Sequence, residues 1–131
     1  MPHIRATVTG PDLPANVTRS LAEGLTELAV TALGKSAERT IVHLDPVPAD
    51  RYYVAGKPLA EGARDVHLEV SITAGTNSAA EKAAFVSGAT AFLSELIGPL
   101  ARGGVALHEL HPESYGYQGV TQFEHYRGSG N

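Results

Sequence analysis

An internal repeat constrains the fold of this chain more than any other feature. Residues 2–10 and 66–75 share one pattern, in which apolar and polar side chains alternate and a glycine follows. Alternation with a period of two is typical of a β-strand that is buried on one face. The apolar side chains that share a face in the two strands are Ile4, Ala6, Val8, Leu68, Val70 and Ile72. We therefore expect each half of the chain to open with a half-buried strand.

A helix pattern follows each of these strands. The first helix should begin near Asp12 and Pro14 and end at Gly34, where a left-handed residue is commonly found. Its apolar residues at helical spacing are Val17, Leu21, Leu25, Leu28 and Ala32. The second helix should begin at residues 78–81, which form a capping-box pattern, and end at residues 98–99. It presents Phe85, Ala89, Phe92 and Leu96. Each helix can therefore cover one face of a sheet.

A further strand closes each unit, at residues 40–44 and 105–110. The order βαβ then occurs twice, over about residues 2–62 and 65–127, within one domain at residues 1–131. We predict an α+β fold (α/β in some schemes), with a four-stranded mixed sheet and two helices on one of its faces. The opposite, more polar face stays uncovered, and we therefore expect the chain to associate with copies of itself.

Glycine-containing aromatic segments end both halves of the chain. Residues 51–57 and 115–120 are expected to form short hairpins or docking arms. The last residues, 128–131, are expected to be a disordered tail.

Composition argues against several classes of function. The net charge is −4 and no block of Lys or Arg stands out, so we expect no nucleic-acid partner. The chain has no cysteine, which removes disulfides and thiolate chemistry and fits a cytoplasmic location. Residues 1–5 carry neither a basic leader nor an apolar run, and no later stretch is long enough to cross a bilayer. We expect neither secretion nor membrane insertion.

Pro2 is the residue that points most directly to chemistry. Methionine aminopeptidase removes Met1 when a proline follows, so the mature chain would begin with a free secondary amine. An α-amino group ordinarily titrates at about 7.7–8.0, and burial beside cations lowers its pKa because both disfavour the charged form. A neutral amine of this kind can carry a proton between two atoms. A proline at one position is weak evidence alone, and its place at the start of a repeated βαβ unit strengthens it.

Nearly the whole chain resembles the tautomerase superfamily. In the first half, the segments that resemble 4-oxalocrotonate tautomerase are residues 2–4, 33–34 and 52–56. The second half repeats this plan without the proline, from residue 74 to Tyr115. The fused length also resembles 5-carboxymethyl-2-hydroxymuconate isomerase, and the segments that carry this likeness are residues 2–3, 39–43 and 109–112.

This resemblance implies a cofactor-free isomerase that moves a proton in a small enol or 2-oxo acid, with Pro2 as its catalytic residue. It also implies a homotrimer of fused units, with sites at subunit boundaries and arginines that bind the carboxylate of the substrate. The sequence departs from the family at one point. The arginine expected after the first glycine turn is missing, because residues 11–13 occupy that loop and residues 76–77 occupy its equivalent.

Five other residues are candidates for binding the substrate. Arg39 matches an active-site arginine of the isomerase-like segment, and a planar guanidinium suits a carboxylate; the alternative is a solvated surface charge. Arg51 and Lys57 are second choices, on the hairpin that such families lend to a neighbouring site, and surface charge is again the alternative. Tyr52 and Tyr115 match the aromatic residue that borders the pocket, where a hydroxyl can donate to a developing enolate. Packing alone is the alternative explanation for both tyrosines.

Two other classes of function stay open. A protonated amine would instead aid hydration, dehalogenation or decarboxylation of a three-carbon acid. Paired βαβ units also build non-catalytic modules that bind small molecules. A metal site at His108 and His111 is disfavoured, because strand alternation places them on opposite faces and no third ligand is evident. We expect neither a metal nor another cofactor.

Overall fold

The computed structural model describes residues 1–129, which form a mixed four-stranded sheet, two long helices and a shorter third helix. In chain order, the strands and helices are β1 (His3–Thr9), α1 (Ala15–Leu33), β2 (Ile41–Val47), β3 (Tyr53–Val54), β4 (Lys57–Pro58), β5 (Asp65–Thr73), α2 (Ala79–Ile97), β6 (Gly104–Leu110), β7 (Gly116–Tyr117), β8 (Val120–Thr121) and α3 (Gln122–Ser129). The predicted α+β fold class is confirmed.

The four long strands lie in the order β2-β1-β5-β6. The central strands β1 and β5 are antiparallel, and each pairs in parallel with the second long strand of its own half. Strand β2 is longer than predicted and continues through Pro46 to Val47. Proline is tolerated there because β2 is an edge strand, in which one row of backbone N–H groups needs no partner within the sheet.

The core lies between one face of the sheet and the two long helices. The side chains predicted to share this face in β1 and β5 are all buried. They pack against buried residues of the helices, which are Leu21, Leu25, Ala29, Leu33, Phe85, Ala89 and Leu93. The opposite face carries half-buried or exposed polar side chains, which include His3, Arg5, His67 and Glu69. The predicted alternation is therefore confirmed in both strands.

Both long helices begin and end near the predicted residues. Gly34 follows α1 in the left-handed conformation, with φ of 66°, and its N–H caps the carbonyl of Val30. At the start of α2, the Ser78 hydroxyl accepts from the Glu81 N–H (3.1 Å) and the Glu81 carboxylate accepts from the Ser78 N–H (2.8 Å). The predicted capping box is present.

The two aromatic segments fold as short hairpins, β3–β4 and β7–β8. Helix α3 was not predicted, and the expected disordered tail is wrong for Gly128 and Ser129, which lie in this helix. Its aromatic side chains Phe123 and Tyr126 are exposed, so the segment has no apolar face that a helical period would reveal. Gly130 and Asn131 lie outside the described residues. Within residues 1–129, no helix is long and apolar enough to cross a bilayer.

The contact between α1 and α2 depends on a glycine. A Cβ atom at Gly24 would lie only 2.0 Å from Cζ of Phe92 in α2, so any side chain there would displace the phenyl ring. We expect Gly24→Ala to lower the free energy of unfolding by about 1–3 kcal/mol, measured by urea denaturation. Gly88→Ala is the matched control, because its Cβ would meet only the flexible end of Leu28 at 3.1 Å. Equal losses in the two variants would contradict this packing argument.

Candidate functional site

Pro2 lies at the start of β1, in the middle of the sheet, between β2 and β5. Its side chain is buried, and its carbonyl accepts a hydrogen bond from the backbone N–H of Ile41 at 3.1 Å. This bond extends the parallel pairing of β1 and β2 by one residue. The position of the Pro2 nitrogen is therefore set by the sheet and not by a loose terminal segment.

Two cationic side chains act on the N-terminal amino group of Met1. Burial lowers its pKa most, and the positive charges of Lys35 and then Arg39 lower it further. Lys35 is half-buried, whereas Arg39 is exposed in the short turn that leads into β2. Since attraction between charges is stronger away from bulk water, Lys35 is the better placed of the two to hold an anion.

Lys35 reaches this position because of the turn at Gly34. The left-handed glycine ends α1 and directs the next residue back toward the strand starts. The Lys35 ammonium then donates to the Thr76 hydroxyl at 2.8 Å, and Thr76 in turn donates to the Thr73 carbonyl at 2.6 Å. Burial lowers the pKa of Lys35, against the opposing effect of the Glu81 carboxylate. The loop at residues 76–77, which is the second-half equivalent of the loop that lacks the family's arginine, thus binds the side chain of Lys35.

The second half of the chain supplies the remaining polar groups around Met1. The Tyr115 hydroxyl donates to the Met1 carbonyl at 2.5 Å, with the Ser71 carbonyl 3.4 Å away. Gln122 is only 4% exposed, and its side-chain oxygen lies 3.5 Å from the Met1 nitrogen. Burial raises the pKa of the Tyr115 hydroxyl, which keeps it a hydrogen-bond donor. Arg39 and Tyr115, both predicted from the sequence, therefore lie near Pro2.

Tyr52 and Arg51 do not meet Pro2 within one chain. The Tyr52 hydroxyl donates to the Asp65 carboxylate, and Asp65 is opposite Thr9 at the far end of β1. The six residue steps between His3 and Thr9 correspond to about 20 Å. Arg51 is exposed in the short turn beside Tyr52. Within one protomer, both residues therefore lie at the opposite end of the sheet from Pro2.

Sequence reasoning missed two residues of this cluster, Lys35 and Gln122. Lys35 could have been found, since a βαβ unit returns the chain to the starts of its strands and Lys35 is the first residue after the helix stop. Gln122 had no such signal, because its place depends on the hairpin β7–β8 and on its N–H donating to the Tyr115 carbonyl at 2.6 Å.

Other possible sites offer less chemistry. Two open clefts of about 550 and 430 Å³ lie around Gly10, Pro11 and Asp12 at the far end of β1, and neither is lined by Pro2 or Lys35. Within residues 1–129, no three His, Asp or Glu side chains are grouped so that they could hold a metal ion. The cluster around Pro2 is therefore the candidate functional site.

Comparisons with known proteins indicate a family. A family model described as tautomerase enzyme matches residues 2–62. A probable tautomerase K2 of Dickeya dadantii (strain 3937) is 31% identical over 61 residues, which are 47% of this chain and 91% of that relative.

Solved structures match over the full fold. Native fused 4-OT has a TM-score of 0.83 at 16% identity, covering 98% of this chain and 99% of that one. A fused 4-OT solved as a symmetric trimer has a TM-score of 0.79 at 21% identity, covering 92% and 96% of the two chains. N1, of the cis-3-chloroacrylic acid dehalogenase family, has a TM-score of 0.75 at 16% identity, covering 95% and 91%.

Proposed function

Because this chain belongs to the tautomerase family, we propose that it is a cofactor-free keto–enol tautomerase in which Pro2, freed by removal of Met1, moves the proton. One observation carries the proposal above all others. The amino group of Met1, one residue before Pro2, is partly buried beside Lys35 and Arg39, and its pKa is lowered by burial and by these two charges. Such surroundings favour an uncharged amine, which is the form that a base requires.

Removal of Met1 would also release groups that Pro2 needs. The Tyr115 hydroxyl and the Gln122 side chain both bond to Met1 in the uncleaved chain. Without Met1, the Pro2 nitrogen becomes the terminal amine, and Tyr115 and Gln122 gain room for a small ligand. The substrate would therefore take the space that Met1 occupies.

The chemical step needs only one base and balances without an added reagent. The Pro2 amine removes the hydroxyl proton of the enol, the oxygen electrons form the C=O bond, and the C=C electrons take the proton back at carbon. Lys35 and Arg39 hold the carboxylate of an enol or 2-oxo acid, and Tyr115 donates to the oxygen on which negative charge develops. Lys35 supplies the charge that the missing family arginine would otherwise provide.

We further propose a cytoplasmic homotrimer. Two observations support the trimer. The helices α1 and α2 leave the polar face of the sheet uncovered, and fused 4-OT structures of the same fold are trimers. In a trimer, Arg51 and Tyr52 of one chain would approach the Pro2 site of a neighbour, which is the role that the sequence predicts for their hairpin. Light scattering after gel filtration measures the mass, and a monomer would contradict this part.

A second candidate function has one specific point in its favour. The structural neighbour N1 belongs to a dehalogenase family, and such chemistry on a three-carbon acid would use a protonated amine as the acid. The positive charges of Lys35 and Arg39 oppose this form of the amine. The tautomerase is therefore the better supported of the two proposals.

Three measurements test the proposal together: intact mass, the pKa of the Pro2 nitrogen, and turnover of enol acids. Intact mass first establishes that Met1 is absent, and a ¹⁵N-labelled Pro2 nitrogen is then titrated by NMR. We expect its pKa to fall below neutrality and the enzyme to ketonise phenylenolpyruvate and 2-hydroxymuconate well above the buffer rate. A pKa well above neutrality, combined with turnover of 3-chloroacrylate but not of either enol, would establish the second candidate instead.

A further inference from the structure

The two halves of the chain are related by an approximate twofold axis between β1 and β5. His3 lies opposite Ile41 in the parallel pair β1–β2, and His67 lies opposite Gly104 in the parallel pair β5–β6. His67 is therefore the counterpart of His3. It follows that Val66 corresponds to Pro2 and that Asp65 corresponds to Met1.

The tyrosines obey the same relation. Tyr115 ends the turn after β6 and reaches Met1, which precedes the first strand of the other half. Tyr52 ends the turn after β2 and reaches Asp65, which opens the first strand of its opposite half. The chain thus repeats the contact between a tyrosine and the residue before the first-strand position of Pro2, once at the Met1 carbonyl and once at the Asp65 carboxylate.

The side chain of Asp65 is buried and accepts four hydrogen bonds. The residue is 1% exposed, and its Oδ1 atom accepts from the backbone N–H groups of Val66 (3.0 Å), Arg102 (3.0 Å) and Gly103 (2.8 Å). Its Oδ2 atom accepts from the Tyr52 hydroxyl. Four donors therefore converge on one buried carboxylate, and three of them belong to the backbone and cannot turn away.

The ionisation of the pair agrees with this geometry. Burial by itself would raise the pKa of Asp65, but the hydrogen bonds from Tyr52, Gly103, Arg102 and Val66 outweigh it and lower the pKa. The hydrogen bond to Asp65, and after it burial, raises the pKa of Tyr52 to about 12. The carboxylate is thus ionised and Tyr52 is its neutral donor at neutral pH.

We propose that the start of β5 is a carboxylate-binding site, that Asp65 is its internal ligand, and that this ligand closes the second-half copy of the Pro2 site. When the Asp65 side chain is absent, this site binds a small monocarboxylate. One consequence rests on the proposed function. Because the Asp65 oxygen lies 3.0 Å from the nitrogen that corresponds to Pro2, it marks where an oxygen of the substrate would lie beside the catalytic amine. The chain then has one active site.

The test is rescue of Asp65→Ala by formate. Alanine keeps Cβ and removes the carboxylate, which leaves four donors unpaired and a space the size of formate. We expect the variant to melt about 10 °C below the parent, and 100 mM sodium formate to recover roughly half of this loss. Sodium chloride at equal ionic strength controls for salt, and Arg19→Ala, an exposed site on α1, controls for a general effect of formate.

A formate effect on Asp65→Ala no larger than on these controls would overturn the proposal. Loss of rescue in the double variant with Tyr52→Phe would support it, since one of the four donors is then gone. The test measures a melting temperature, so its result does not depend on turnover of an enol. Rescue without tautomerase activity in the parent would therefore leave the carboxylate site standing while removing its link to the substrate.

If Asp65→Ala does not fold, Asp65→Asn provides the test instead. The pKa of Asp65 is lower in the folded state than its ordinary value of 3.8. Asp65 therefore stabilises the fold at pH above 3.8, and this contribution disappears as the pH falls through the pKa of the folded state. The ionisable groups that face it are Tyr52, which stays neutral, and Arg102. We expect stability to depend less on pH below about 4 in Asp65→Asn than in the parent. The same slope in both would contradict the proposal.

Discussion

Blocking the Pro2 nitrogen is expected to lower kcat/KM for enol acids by about 10²–10⁴-fold, the usual contribution of a positioned base. A single glycine placed before Pro2 turns the amine into an amide, which cannot take up a proton. The sheet contacts of Pro2 do not involve its nitrogen, since its carbonyl accepts from Ile41. Folding should therefore be preserved, and circular dichroism with thermal melting checks this.

Pro2→Ala is the matched variant for this experiment. It keeps a terminal amine in the same place, but the amine becomes a primary one and loses the ring carbons that help to bury the nitrogen. We expect its activity to lie between that of the parent and that of the glycine-extended chain. Parental activity in the glycine-extended chain, with its mass confirmed, would rule out catalysis by the Pro2 nitrogen.

Replacing Lys35 by glutamine is expected to lower kcat/KM by about 10²-fold, because a hydrogen bond between charged groups, here to the substrate carboxylate, contributes roughly 1.5–3 kcal/mol. It should also raise the pKa of the Pro2 amine, because a nearby positive charge no longer opposes protonation. Since the base must be neutral, the acidic limb of the pH profile of kcat/KM would move to higher pH. A profile measured from pH 5 to 9 with phenylenolpyruvate tests both effects.

Arg19→Gln makes the same change in net charge at an exposed position near the other end of α1. It should leave both the rate and the pH profile unchanged. Thr76→Val removes the hydrogen bond to the Lys35 ammonium, together with those to Thr73 and Asn77, but keeps the lysine, so we expect a smaller loss than in Lys35→Gln. A fall in rate without a shifted pH profile in Lys35→Gln would mean that Lys35 does not act on the amine.

Short sequence patterns were sufficient to predict most of the secondary structure. The alternation in β1 and β5, the capping box at Ser78 and Glu81 and the stop at Gly34 each depend on a few neighbouring residues, and all are present. Helix α3 was missed because its stability depends on contacts with the hairpin before it and not on an apolar face of its own.

The candidate site was predicted only in part. Pro2, Arg39 and Tyr115 carry recognisable patterns, and the structure brings Arg39 and Tyr115 to the N-terminus. Tyr52 matches the same pattern as Tyr115, yet it lies at the other end of the sheet. Sequence likeness between repeats cannot distinguish these two ends, because the twofold relation makes their local sequences alike.

The sequence alone determined the order of the four long strands and the two long helices, which of their faces are apolar, and where the chain turns, because these follow from residue spacing over a few positions. Only the tertiary structure decided what surrounds Pro2. The antiparallel pairing of β1 with β5 brings Tyr115 and Gln122 to the terminus across 114 and 121 residues of chain, and Lys35 joins them through Thr76. Contacts over such separations depend on how the two halves pack, which no local pattern encodes.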